Sequence, residues 1–282
     1  MKMPRSESEI MALVAELRRA AQPFVLATVV RTVAATSAKA GAKVVVTAEG
    51  IRAGWVGGGC AQGAVRRAAK AALADGRSRL ISVQPDAALA EEGHAPGTID
   101  HGVEYHRSVC PSGGTLDIFI EPMLPRPTLI ICGASPVAQA LADLALGLDF
   151  AVTIAALAED QPNIARANAR IEGFDLSVDK TAHPFVVVAT QGKRDYDALK
   201  AALATEAAYI AFVGSRRKMA TLRERLVADG VAAERAGAVR SPAGLDIGAI
   251  TPEEIALSIL AEIVGERRKF ARDASHTGTQ TA

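Results

Sequence analysis

The stretch "LIICGASPVAQALADLA", Leu129 to Ala145, decides how the chain is read. An apolar run of strand type ends at Gly133, and a turn of small residues then opens an apolar helix pattern. A strand, a glycine and a helix N-terminus in that order let backbone amides approach a pyrophosphate, as in dinucleotide-binding folds. Gly133 and Ser135 are therefore candidate cofactor contacts. Ser135 stands where the second fingerprint glycine would be, Pro136 suits a first helical turn, and Ala138 replaces the third glycine. About 20 residues further on, where an acid would hold the adenosine ribose, the strand end reads Ala155-Ala156. Glu159 and Asp160 follow a few residues later.

Downstream, "FAVTIA", "FVVVAT" and "YIAFVG" alternate with helical patterns, and a last helix is expected from about Pro252 to Arg268. That alternation predicts a parallel sheet wrapped by helices. Ligands in such sheets sit beyond the carboxyl ends of the strands, so Gln191, Gly192, Lys193 and Asp195 qualify as rim residues, while Ser241, Pro242 and Gly244 read as turn chemistry. In "FVGSRRKMATLRERL" a strand ends at Gly214, Ser215 is placed as an N-cap, and Arg216, Arg217 and Lys218 fill the first turn. Cations there oppose the helix dipole and call for an anion such as phosphate, unless they form a solvated face.

Upstream, "EPMLPRP" holds three prolines in seven residues and marks a linker. The expectation is α/β throughout: an N-terminal α/β domain over 1–124, a Rossmann-like domain with a parallel sheet over 128–270, and a polar, disordered tail over 271–282. Ser6 and Glu9 have capping-box spacing ahead of a helix over Glu7 to Ala21. "FVLATVVR", "AKVVVT", "IRAGWV", "RLISV" and "TLDIFIEP" read as strands.

Within that first domain, "AGWVGGGCAQGAVRRAAKAAL" brings Gly57, Gly58 and Gly59 directly onto Cys60 at the start of a helix. The dipole there favours a thiolate, a soft ligand or sulfur acceptor, and glycines allow a bulky group close to the backbone. The alternative is a small buried cysteine in a tight turn. Cys132, ending an apolar strand, reads as core. The segment "HAPGTIDHGVEYHRSVCPSGG" gathers His94, His101, His106 and Cys110, a donor set suited to copper or zinc, but its spacing matches no standard zinc pattern, which puts a mobile polar loop ahead of a metal site.

Composition narrows the classes. The 282 residues carry 32 basic and 31 acidic side chains, so no global charge points to nucleic acid. No apolar run approaches the roughly 20 residues of a membrane span. The N-terminus lacks a secretory pattern, and three cysteines without a Cys-x-x-Cys pair suit a reducing compartment. A cytoplasmic protein is expected.

Taken together, "VLATVVRT", "GGCAQGAV", "GGTLDIFIEP", "FVGSRRK" and "SPAGLDIGAITPEEIALSILAEI" resemble, in order, the XdhC/CoxI family of accessory factors for xanthine dehydrogenase and related molybdenum hydroxylases. The resemblance covers nearly the whole chain. It implies binding of the molybdenum cofactor (molybdopterin or its dinucleotide), assistance in its sulfuration, and delivery to an apo molybdenum hydroxylase, with a sulfur donor such as a cysteine desulfurase. Cys60 then lies where a thiol meets the cofactor or sulfur donor, and Gly214 to Lys218 hold its phosphates. A homodimer is expected. The chain departs from the family's Gly-Ala-Gly-His-Val-Ala at Gly133 to Ala138, and from its Gly-Gly-Cys-Val-Glu at Gly58 to Gln62. The family's second cysteine is replaced by Ser112, with Cys110 two residues earlier. These departures, with the longer histidine segment, suggest a paralogue serving a carbon monoxide dehydrogenase type of enzyme, whose site needs copper. The rival readings are an FAD- or NAD(P)-dependent oxidoreductase and a scaffold that binds partners alone.

Overall fold

Helix α1 (Glu7–Arg19) begins where its capping box sets it: the Ser6 hydroxyl accepts from the Glu9 amide at 3.2 Å while the Glu9 carboxylate accepts from the Ser6 amide at 3.0 Å. It stops two residues short of Ala21, which adopts a left-handed φ of 50° ahead of Pro23. The computed structural model describes residues 6–109, 113–164, 166–176 and 183–277. They divide into two compact units, the first of residues up to 125 together with those from 271 onward, the second of residues 126–270.

In the first unit, β1 (Phe24–Val33), β2 (Lys43–Thr47) and β3 (Gly50–Gly54) make an antiparallel meander, followed by α2 (Gly59–Asp75), β4 (Arg79–Pro85), α3 (Asp86–Glu91), β5 (Ile99–Asp100), β6 (Val103–Ser108) and β7 (Thr115–Met123). The sheet order is β3-β2-β1-β7-β4-β6-β5. All neighbours are antiparallel except β4 and β6. Alternation along β2 sends Val44 and Val46 to the core beneath α2 and Val45 to the core beneath α1, so the two helices cover opposite faces. The α2 stripe is Ala61, Ala64, Val65, Ala68, Ala69 and Ala72, all buried. Small side chains let this helix lie close over Ile81, Ile118 and Ile120, each worth about 1.5–3 kcal/mol when buried.

The histidine segment departs from the expected loop. Val103–Ser108 forms β6, hydrogen-bonded in parallel to β4 from Leu80↔Val103 to Pro85↔Ser108. Alternating apolar and polar residues in "VEYHRS" fit a half-buried strand, a signal too short to separate from loop in sequence.

The second unit carries the parallel sheet expected of it. β8 (Thr128–Cys132), α4 (Pro136–Gly147), β9 (Ala151–Ala156), a 3₁₀ turn (Ala158–Asn163), β10 (Ala169–Glu172), β11 (Phe185–Val188), α5 (Asp195–Leu203), β12 (Tyr209–Phe212), α6 (Arg216–Ala228), α7 (Ala233–Gly237) and α8 (Pro252–Thr277) follow in order. The strand order β10-β9-β8-β11-β12 is all parallel, the doubly wound arrangement in which the chain reverses direction of growth beside β8. Alternate residues of β8 and β11 feed two cores. Leu129, Ile131 and Val187 pack with α4 and α8, whereas Ile130, Val186 and Val188 pack with α5 and α6. α8 runs to Thr277, into the stretch read from composition as a tail.

Candidate functional site

Cys60 occupies the first turn of α2, half-buried, beside a cavity of about 250 Å³ lined by Thr36, Ser37, Gly58, Gly59, Ala61 and Gly114 among others. The glycines before it divide their roles. Gly57 has φ 121°, and a Cβ there would press on Ala61 and Leu116 at 3.2 Å, so this glycine makes the turn. Gly58 and Gly59 have no atom within 4 Å of a built Cβ, so these two leave open space above the backbone. Gln62 steadies the turn by donating from Nε2 to the Gly57 carbonyl at 3.0 Å. A carboxylate could not make that bond.

The N-terminus of α2 is bare: Gly58 supplies no side-chain cap and the first turn holds no acid. Free amides and the positive end of the dipole thus face the cavity beside the thiol, a setting for an anionic or soft group. The opposite wall was not foreseen. Gly114 admits the 35–36 backbone so closely that a Cβ would lie 2.4 Å from the Ala35 carbonyl oxygen, which brings Thr36 and Ser37 to the rim. Their sequence signal is only a run of small polar residues. Cys132 is core, as read: it is fully buried, and burial pushes its thiol up to about 12.

The histidines do not converge. Tyr105 and His106 are neighbours on β6 and point to opposite faces. His94 stacks on Tyr105 with ring centroids 3.8 Å apart. His106, 6% exposed, lies on the other face, with Nδ1 3.4 Å from Arg67 and Nε2 3.0 Å from Glu104 Oε1, near enough to pair though not aligned for a hydrogen bond. This contact with His106 holds the Glu104 carboxyl below its usual range. His101 is exposed in the β5–β6 turn. Cys110 lies outside the described residues, and among the described residues no three His, Cys, Asp or Glu side chains gather for a metal.

In the second unit, Gly133 has φ 114°, and a Cβ would meet the Ala189 carbonyl oxygen at 2.5 Å. It is needed for the close approach of the β8 turn to the end of β11. Ser135 and Ser215 are N-caps, accepting from the Ala138 and Lys218 amides at 3.2 Å each. A Cβ on Gly214 would strike the Phe212 ring.

Asp195, read as a rim residue, is 5% exposed and organises this end of the sheet. Its carboxylate accepts from the Thr190 hydroxyl and from the Gly192 amide at 3.1 Å, and pairs with the Lys218 ammonium. Burial alone would raise its carboxyl, but the Lys218 and Thr190 donors outweigh burial and hold it below the ordinary range. Lys218, expected to hold phosphate, pairs here with Asp195 while its side chain stays 45% exposed. Gly192 likewise spends its amide on Asp195. Gln191, with φ 53°, keeps an exposed side chain; Arg216 and Arg217 are exposed at the start of α6, and Arg217 lines a cavity of about 440 Å³ there.

The end of β9, where an acid would hold the ribose, is tied up by local hydrogen bonds. The Ala156 carbonyl at the end of β9 accepts from Gln161 Nε2 and from the Gly173 amide, both at 2.8 Å. Lys193, after β11, pairs with Asp160, after β9, at 2.7 Å. Because β8 lies between those two strands, this pair crosses over the carboxyl end of β8. Among the described residues no helix is long and apolar enough to cross a membrane.

Residues 129–263 match the family profile described as the XdhC Rossmann domain, and residues 17–84 match that of the XdhC and CoxI family. The uncharacterized protein YqeB of Escherichia coli (strain K12) is 30% identical over 254 residues, covering 86% of this chain and 43% of its own. A probable xanthine dehydrogenase subunit from Bacillus subtilis (strain 168) is 30% identical over 168 residues, 56% of this chain and 48% of its own. The chain spans less than half the length of these curated relatives. Among solved structures, a xanthine dehydrogenase from Bacillus halodurans aligns over 92% of this chain and 96% of its own, with a TM-score of 0.43 and 19% identity. The two profiles match the two units in the order in which their motifs occur, and the chain belongs to the XdhC and CoxI family.

Proposed function

We propose that this chain is a maturation factor for a molybdenum hydroxylase of the xanthine or carbon monoxide dehydrogenase type, and that the cavity beside Cys60 receives part of the cofactor to be delivered. The observation that carries this reading is the pairing of a half-buried thiol with an uncapped helix N-terminus in one cavity. The donor set fits: a thiolate takes a soft metal or sulfur atom, amides take an anion, and Gly58 and Gly59 leave room. At about 250 Å³ the space suits one end of a molybdopterin rather than a whole dinucleotide. The cofactor, when bound, would supply the metal and dithiolene chemistry. Cys60 orients its soft atom, and the 58–60 backbone holds its charge.

Where sulfur is handled, the Cys60 thiolate attacks the terminal sulfur of a persulfide on a cysteine desulfurase. An S–S bond forms to Cys60 as the donor's breaks, and the donor thiolate leaves. The histidines, which face different ways, are given no copper. Arg216 and Arg217, without Lys218, remain for phosphate. The working form is a cytoplasmic homodimer.

A second reading, FAD or NAD(P) at the Rossmann crevice of an oxidoreductase, is favoured by the strand order alone. The absent ribose acid and the Lys193–Asp160 pair oppose it. Activation of apo-hydroxylase by the wild type and by Cys60→Ser separates the two. Loss of activation with an unchanged melting temperature supports the proposal, and full activation by the variant removes Cys60 from it.

A further inference from the structure

We propose that the groove between α4 and the start of α8 docks a basic amphipathic helix of a partner protein. The groove, with a cavity of about 620 Å³, is floored by Pro136, Ala140, Leu144 and Leu257 and rimmed by Asp143, Glu253 and Glu254. Its apolar members are not spent on the fold: Leu257 is 54% exposed, and Ile250, at the mouth of α8, is 84% exposed. Leu245 and Ile247, in the loop that leads into α8, are also about half exposed. An apolar patch of this kind ringed by polar groups marks an interaction surface.

Charge selects the occupant. The rim is acidic: Asp143 meets Arg166 at 3.8 Å, and the Glu254 carboxylate accepts from the uncharged Ile250 and Thr251 amides, which leave its charge in place. Pro136, Ala140 and Leu144 recur at one-turn spacing along α4 and Leu257 of α8 lines the same groove, a seam that receives anchors at i, i+3, i+4 and i+7 of a third helix. Lysines or arginines flanking that seam would meet the acidic rim. A helix with acidic flanks would be repelled.

The test measures fluorescence anisotropy of a labelled amphipathic peptide of leucine and lysine titrated with the full chain. Binding that weakens with added salt, and at least about tenfold in both Leu257→Asp and Glu253→Lys, is the expected result. Val227→Asp on α6 should leave it unchanged, and a matching leucine and glutamate peptide should not bind. Circular dichroism of each variant must stay that of the wild type, since all these side chains are exposed. Equal affinity in the wild type and both groove variants would overturn the assignment. So would sedimentation showing a dimer that Leu257→Asp converts to monomer, which would give the groove to a second copy of the chain.

Discussion

Replacing Asp195 by Asn should destabilise the second unit by about 2–3 kcal/mol, a figure built from three contacts. The Thr190 hydroxyl and Gly192 amide are still able to donate to the Asn oxygen, but each loses a charged acceptor, at about 1 kcal/mol apiece. Lys218 loses its counter-ion, yet its side chain is 45% exposed and water replaces most of the pair, so this adds no more than about 1 kcal/mol. At about 2–4 °C per kcal/mol, the transition should fall by roughly 4–12 °C in a thermal melt followed by circular dichroism. The pH dependence has a definite sign. A carboxyl held below its ordinary range contributes its full stability above about pH 4, the unfolded-state value, and loses it as pH falls through the folded value. The gap between wild type and variant should be constant near neutrality and close in acid. A difference under about 0.5 kcal/mol at pH 7, or a gap that widens in acid, would refute the role given to Asp195.

Gly133→Ala, which puts a methyl against the Ala189 carbonyl at a left-handed φ, should cost at least about 2 kcal/mol in urea unfolding. Gly59→Ala has open space around its Cβ and should change stability by no more than about 0.5 kcal/mol, while narrowing the cavity and weakening whatever ligand binds there. Native alkylation with iodoacetamide, read by peptide mass spectrometry, should modify Cys60 and spare Cys132, which is fully buried and whose thiol burial pushes up to about 12.

What the sequence made legible was local. Ser6 with Glu9 and Ser215 each announced a helix start, and each caps one. The order of apolar runs after Thr128 announced the parallel sheet, and three glycines before a cysteine announced an open helix start. What stayed hidden depends on partners far apart in the chain. Nothing near Lys218 reveals that Asp195 will claim its ammonium, or near Asp160 that Lys193 will cross to it. The histidines looked like one donor set because spacing does not say which face of β6 a residue joins; Tyr105 takes His94 to one side and Glu104 keeps His106 on the other. The 34–37 rim of the cavity owes its position to Gly114, a contact across some eighty residues.

The most direct test of the account is an equilibrium titration of the purified chain with molybdopterin, beside its Cys60→Ser and Gly59→Ala variants, with FAD as the competing ligand. Pterin binding that both substitutions weaken, with FAD affinity low and unchanged, is what the account predicts. Tight FAD binding and no pterin binding, insensitive to both changes, would contradict it and move the function to the carboxyl end of β8.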